Sequence, residues 1–270
     1  MRTKSLATPY IVWMVIFTVV PLAMVAYFAF TTNSGEFTFE NMTRAAEYLP
    51  VLLRSVWYAL ASCVICLLVG YPVAYVIAQT KASTQRVLYL LVTLPMCMSF
   101  LLRTLAWVAL LRDTGIINSF LANFGIGPLP LIRNAGSVIA GMVYTYLPYM
   151  IMPLYTVISK LDPRLIEAAQ DLGCDSKQVF RRVILPLSMP GIISGITMVF
   201  VPAVSTFYIS QKLGGTNNTM IGDVIELQFK GSLNQNLGAA MSLILMVLVF
   251  ISIWLMNRFT GEGDEGVATI

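Results

Sequence analysis

The chain has 270 residues, 57% of them hydrophobic and 11% charged, with a formal net charge of +4 and no histidine. A soluble domain carries about 25% charged residues, so there is too little charge here to wet a globular surface. The small positive excess is not the basic field of a nucleic-acid binder, and the missing histidine removes the commonest acid–base residue and metal ligand.

The apolar residues lie in blocks. Pro9–Phe30 contains no charged residue. At 1.5 Å per residue such a run reaches about 33 Å, enough to cross a hydrocarbon core. Arg2 and Lys4 precede it, but the run is too long for a signal-peptide core and no A-x-A site follows, so it reads as a retained anchor. Further apolar segments run over Val56–Gln79, Val87–Leu111, Gly136–Ile158, Ser188–Ser210 and Gly238–Asn257. In lipid every backbone polar group must be satisfied within its own segment, so each should be a helix. A β-barrel would show short alternating strands. The pattern predicts an all-α integral membrane protein of about six spanning helices over one domain, 1–270. The stretch 258–270 reads as a short, disordered tail.

Cys63 and Cys66 form a C-x-x-C inside the second segment, with no second pair beside it. They read as small apolar residues on a buried helix. Pro21, Pro72, Pro95, Pro148, Pro153 and Pro202 fall within segments. Each removes a backbone donor and can kink its helix, although membrane helices tolerate proline generally.

Lys and Arg placement sets the orientation. One set of loops carries Arg2, Lys4, Lys81, Arg86, Lys160, Arg164, Lys177, Arg181, Arg182 and Arg258. The other, with longer loops, carries Arg44, Arg54, Arg112, Arg133, Lys212 and Lys230. The richer set is expected to be cytoplasmic, which puts both termini there.

The longest loop on that side, Lys160–Leu187, reads KLDPRLIEAAQDLGCDSKQVFRRVILPL. Asp162 is an N-cap acceptor and Pro163 suits the first helical position. Leu165, Ile166, Ala169 and Leu172 follow at helical spacing, and Gly173 supplies a left-handed stop. Asp175 or Ser176 caps a second short helix, with Val179, Phe180, Val183 and Ile184 on one face and Pro186 at its end. The apolar face of this helix–turn–helix has no soluble domain of its own chain to bury against. Glu167 and Asp171 are like charges one turn apart, and only Glu167 has a basic neighbour, Arg164, at helical spacing. A partner with a groove and basic groups explains these features. So does an amphipathic loop resting on lipid headgroups.

Glu167-Ala168-Ala169, three residues, Gly173, nine residues, then Val183-Ile184-Leu185-Pro186 resembles the EAA signature of permease subunits of ATP-binding-cassette importers. Val183 stands where isoleucine is usual. The resemblance implies a type I importer permease in a bacterial inner (plasma) membrane. It implies that Pro163 to Gly173 includes a cytoplasmic coupling helix between the fourth and fifth spans. Glu167, Ala168, Ala169, Gly173, Leu185 and Pro186 would then couple the chain to an ATPase. Leu68–Gln79, Leu147–Asp162, Glu167–Gly191 and Phe207–Phe229 resemble the permeases of spermidine/putrescine importers, the B-type of the two such subunits. Related permeases serve sulfate, ferric iron and phosphonates, and these are the alternative substrates. The implied partners are a second, distinct permease subunit, two ATP-binding subunits, an extracytoplasmic substrate-binding protein and the lipid bilayer, with no nucleic acid. ATP would be bound by the partner and no cofactor by this chain.

The motif search agrees with a non-enzyme. No G-x-x-x-x-G-K-[ST], G-x-S-x-G or H-E-x-x-H is present. An ion-coupled secondary transporter would need intramembrane Asp or Glu, and the six segments contain none. A path for polyamines needs carboxylates and aromatic faces. Asp223 and Glu226, three residues apart on a short helix beside Gly214-Gly215, are the acidic candidates. Trp107, Tyr149, Phe207 and Tyr208 are the aromatic ones, against the plainer reading of core packing or an interfacial belt. Arg103 lies inside the third segment. It lines the path, pairs with a partner subunit, or snorkels to the interface. An unpaired arginine does not suit a cation path, which favours a structural or interfacial role.

Overall fold

The computed structural model describes residues 9–10, 12–32, 34–230 and 234–260. Arg2, Lys4 and the tail beyond residue 260 lie outside the described residues. Among the described residues four helices are long and apolar enough to cross a membrane: α1 (Val12–Ala29), α3 (Leu49–Gln79), α7 (Ala135–Ile158) and α12 (Gln235–Thr260). Two bent pairs bring the number of possible spans to six. One pair is α4 (Ala82–Thr93) and α5 (Phe100–Leu111), the other α9 (Ser176–Leu187) and α10 (Met189–Ser205). Shorter helices are α2 (Glu40–Ala46), α6 (Ile116–Ala122), α8 (Pro163–Asp171) and α11 (Ile221–Lys230).

The third segment is therefore not one rod. Leu94–Cys97 is a tight 3₁₀ turn with Pro95 in its first positions, and the 90° bend falls just beyond it, between Cys97 and Phe100, where Met98 is extended. Pro95 cannot donate a backbone bond and its ring crowds the preceding turn. Pro72, Pro148, Pro153 and Pro202 stay inside continuous helices. The fifth segment ends at Ser205, with Thr206 extended.

The centre is a three-helix pack of α3, α7 and α10. Met150 sits fully buried at its heart. A Cβ added at Gly70 on α3 would stand 3.1 Å from the Met150 side chain, and one at Gly195 on α10 would stand 2.7 Å from its sulfur. Small residues thus let three backbones close around one flexible side chain. By contrast, α1 meets the rest of the chain mainly at α12. Its side chains are mostly exposed.

The α8–α9 loop has more internal packing than its sequence predicts. Ala169, Val179 and Ile184 form a buried cluster, with Tyr75 of α3, Leu161 and Ile166 against it. The Phe180 ring stands edge-on to Tyr71 and Tyr75 at 5.6 and 6.1 Å. Part of the apolar face expected to lack a partner is thus buried between α8 and α9 with Tyr75 of α3 against it, while Leu165 and Leu172 stay exposed.

Candidate functional site

Local chemistry fixes the α8–α9 turn. The Asp162 carboxylate accepts the Arg164 backbone N–H at 3.0 Å. At the far end Gly173 has φ +85°, its N–H reaches the Gln170 carbonyl at 2.8 Å, and the Cys174 N–H reaches Ala169 at 3.1 Å. This is the paired closure of a Schellman stop. Asp175 and Gln178 then cap each other reciprocally at 2.6 and 3.3 Å. The helix so held presents Leu165, Glu167, Ala168 and Leu172 outward, and Leu172 is 85% exposed. Ala169 faces inward to Ile184. Leu185 is half-buried and Pro186 exposed, both at the elbow where α9 meets α10 at 61°. The signature residues thus divide between an exposed face and the joint behind it.

The path candidates fall into two groups. In the first, Trp107 of α5 stands edge-on to Tyr144 of α7 at 5.3 Å, and Tyr149 lies 6.3 Å from Tyr146. Tyr149 also lines an open groove of about 640 Å³ with Tyr89, Met96, Met152, Thr156 and Met198. The second group surrounds α11. Phe207 and Glu226 share an apolar groove of about 590 Å³. Tyr208 lies 5.9 Å from Phe100, with the Lys212 ammonium 5.6 Å over its ring.

The two carboxylates differ. Asp223 is buried, and its oxygens accept from the Ser210 hydroxyl at 2.9 Å and the Met220 N–H at 2.6 Å. Burial pushes its pKa up to about 6, against the lowering pull of those bonds. Glu226 is half-buried, bonded to Lys230 at 2.7 Å and to the Gln211 amide. The Lys230 bond holds its carboxyl below the usual range.

Sequence reasoning missed what holds this end together. Arg54 donates to the Asn217 carbonyl at 2.7 Å and the Thr219 carbonyl at 2.5 Å. Ser55 accepts the Ile221 N–H and Tyr58 donates to Asn218, both at 2.8 Å. Arg54, Ser55 and Tyr58 share one face of α3, a spacing visible in the sequence. Their target, a turn more than 150 residues away, was not.

Residues 67–260 match the family described as binding-protein-dependent transport system inner membrane component. The chain is 38% identical to the spermidine/putrescine transport system permease protein PotB of Haemophilus influenzae, over 91% of this chain and 90% of that one. It is also 38% identical to PotB of Escherichia coli, over 94% and 97%. Among solved structures, a bacterial ABC transporter involved in import of the acidic polysaccharide alginate superposes with TM-score 0.76 at 17% identity, covering 97% of this chain and 96% of that one. The MetNI methionine ABC transporter in an inward-facing conformation gives 0.58 at 17% identity, over 78% and 93%. The chain belongs to the binding-protein-dependent transport system inner membrane components and is a multi-pass permease subunit of the ABC-importer class.

Proposed function

We propose that this chain forms half of a path that carries spermidine, putrescine or a close relative inward, driven by ATP bound on other subunits. The observation that carries the substrate is the 38% identity to spermidine/putrescine permeases over nearly the full length of both chains. The whole chain 1–270 acts as one permease unit. Its 160–187 loop and both termini, with the 258–270 tail, face the cytoplasm. A second permease completes the path, two ATPase subunits lie below it, and a substrate-binding protein docks outside. This chain binds no ATP and no cofactor.

The exposed face of α8 is the ATPase contact. Leu165, Ala168 and Leu172 recur at three- and four-residue spacing and are exposed. A cleft on another subunit would bury them, and Ala168 allows close approach beside the Glu167 charge. Gly173 holds the stop, Ala169 seats the helix on α9, and Leu185 and Pro186 transmit its motion to α10.

In the path, Trp107 and Tyr149 offer aromatic faces to ammonium groups and to the methylene chain between them. At the outer end, Phe207, Tyr208 and Glu226 meet the substrate or the binding protein. Asp223 acts by holding the helix that carries Glu226. The test is ATPase activity of the purified complex in liposomes with its binding protein. Polyamine should stimulate it. Stimulation by sulfate or ferric iron, with none by any polyamine, would refute the substrate and leave the importer class standing.

A further inference from the structure

Arg103 on α5 is 9% exposed. Its Nε and Nη1 are enclosed with no hydrogen-bond partner, so the Nη2 end alone is open. The ion pairs among the described residues are Arg44–Glu40 and Lys230–Glu226, neither involving it. Thr104, the adjacent buried polar residue, returns its hydroxyl proton to the Phe100 carbonyl at 3.0 Å. The guanidinium lies within electrostatic reach of Tyr146. The Tyr146 hydroxyl already donates to the Pro202 carbonyl at 3.2 Å. Tyr146 is the twelfth residue of α7, roughly 16 Å along the helix from its Ala135 end at 1.5 Å per residue. Arg103 is therefore held beside α7 as a buried charge with no counter-ion among the described residues.

A buried charge left unpaired is strongly unfavourable, and intramembrane ionisable groups pair with one another. Among the described residues the helices of the possible spans hold no Asp or Glu, and Asp113, in the turn between α5 and α6, is exposed and makes no ion pair, which leaves another molecule to supply the counter-charge. A polyamine is a cation and would be repelled. A lipid phosphate would approach over Leu101, Leu102 and Leu105, the exposed apolar face of α5. Arg103 is turned from that face toward α7. What remains is a protein neighbour that packs along the α5–α7 seam.

We propose that Arg103 forms an intramembrane ion pair with an Asp or Glu in a spanning segment of the second permease subunit. The inference rests on the two-permease reading above. It makes Arg103 a determinant of which permease pairs with this chain, since a partner without the carboxylate would leave the charge buried and unsatisfied. A carboxylate meeting Nη2 needs only a small side-chain shift to reach Nε as well, the bidentate arrangement that guanidinium favours.

The test uses the co-expressed complex, with recovery of the second permease on affinity-tagged chain as the readout. Arg103→Lys should keep recovery near that of the parent, Arg103→Gln should lower it several-fold, and Arg103→Glu should lower it at least tenfold. Changing one spanning-segment Asp or Glu of the second permease to Lys should restore recovery with Arg103→Glu, which also shows that the variant folds. Parental recovery with Arg103→Glu overturns the inference. So does a second permease with no spanning-segment carboxylate, or the absence of any restoring reversal. If the parent chain itself recovers no second permease, the two-permease reading has failed, and that result is distinct from the others.

Discussion

The Ser210 hydroxyl lies 2.9 Å from the Asp223 carboxylate and 2.8 Å from the Phe207 carbonyl, with one proton to offer two acceptors. While Asp223 is ionised the two acceptors share that proton; once Asp223 is protonated, below about pH 6, it can donate to Ser210 while Ser210 donates to Phe207. The second Asp223 oxygen still accepts the Met220 N–H, the backward bond that an acid at the third helical position makes to its N-cap.

The raised pKa of Asp223 sets a pH dependence. Its folded pKa of about 6 lies above the ordinary 3.8. The protonated form is thus favoured by folding. Its contribution is complete below pH 3.8 and is lost as pH rises through about 6. The span corresponds to roughly 3 kcal/mol at 1.36 kcal/mol per unit. Asp223→Asn keeps an acceptor for Met220 and a donor for Ser210 without the charge. Its thermal midpoint in detergent should therefore vary less between pH 4 and 7 than that of the parent. Parallel pH curves would show that Asp223 is ionised at no cost.

Gly222 is the closest backbone approach at the same end. A Cβ there would stand 2.7 Å from the carbonyl oxygens of both Ser205 and Thr206. Neither is a flexible side-chain tip, so Gly222→Ala must move α11 away from the end of α10. The expected cost is about 1–3 kcal/mol, read as a lower thermal midpoint. Gly127→Ala is the control, because an added Cβ there meets nothing within 4 Å.

At Gly173 the cost of substitution lies in the backbone alone, since a Cβ would have open space but φ is +85°. Gly173→Asn should be tolerated best. Alanine should cost about 1–2 kcal/mol, and valine more. Polyamine-stimulated ATPase activity should fall in that order. Glu167 is exposed and makes no ion pair among the described residues. Glu167→Ala should leave stability within about 0.5 kcal/mol while reducing stimulated activity at least tenfold. Full activity in Gly173→Val would remove the docking role.

Orientation is tested by single cysteines in a background lacking Cys63, Cys66, Cys97 and Cys174. One is placed at Ser176, beside the Asp175 cap, and one at exposed Lys230 on α11. An impermeant thiol reagent added to intact cells should label position 230 and spare 176 until the membrane is opened. Labelling at 176 from outside would invert the topology.

The features that were legible in the sequence are local. The Asp162 cap, a cap at Asp175 or Ser176 and the left-handed Gly173 each depend on residues within one turn; that Asp175 takes the cap with Gln178 opposite it came from the structure. The apolar blocks were legible for the same reason, since lipid imposes helix on every long apolar run. What was not legible is tertiary. The third segment turns by 90° between Cys97 and Phe100, just past Pro95, whereas Pro72 and Pro148 sit in unbroken helices, because neighbouring contacts decide whether a lost bond becomes a break. Asp223 and Glu226 look equivalent in sequence. Only the arrival of Ser210, Gln211 and Met220 buries one and leaves the other beside Lys230. The Ala169–Val179–Ile184 cluster of the loop likewise gains Tyr75, far away in the chain, as a neighbour.

The most direct measurement is accumulation of radiolabelled spermidine by proteoliposomes loaded with ATP. The complete complex, with its binding protein outside, should concentrate the label. Liposomes holding this chain alone should not, whatever ion gradient is imposed, and neither should the complete complex loaded with a non-hydrolysable nucleotide. Accumulation by this chain alone under an ion gradient would contradict the account.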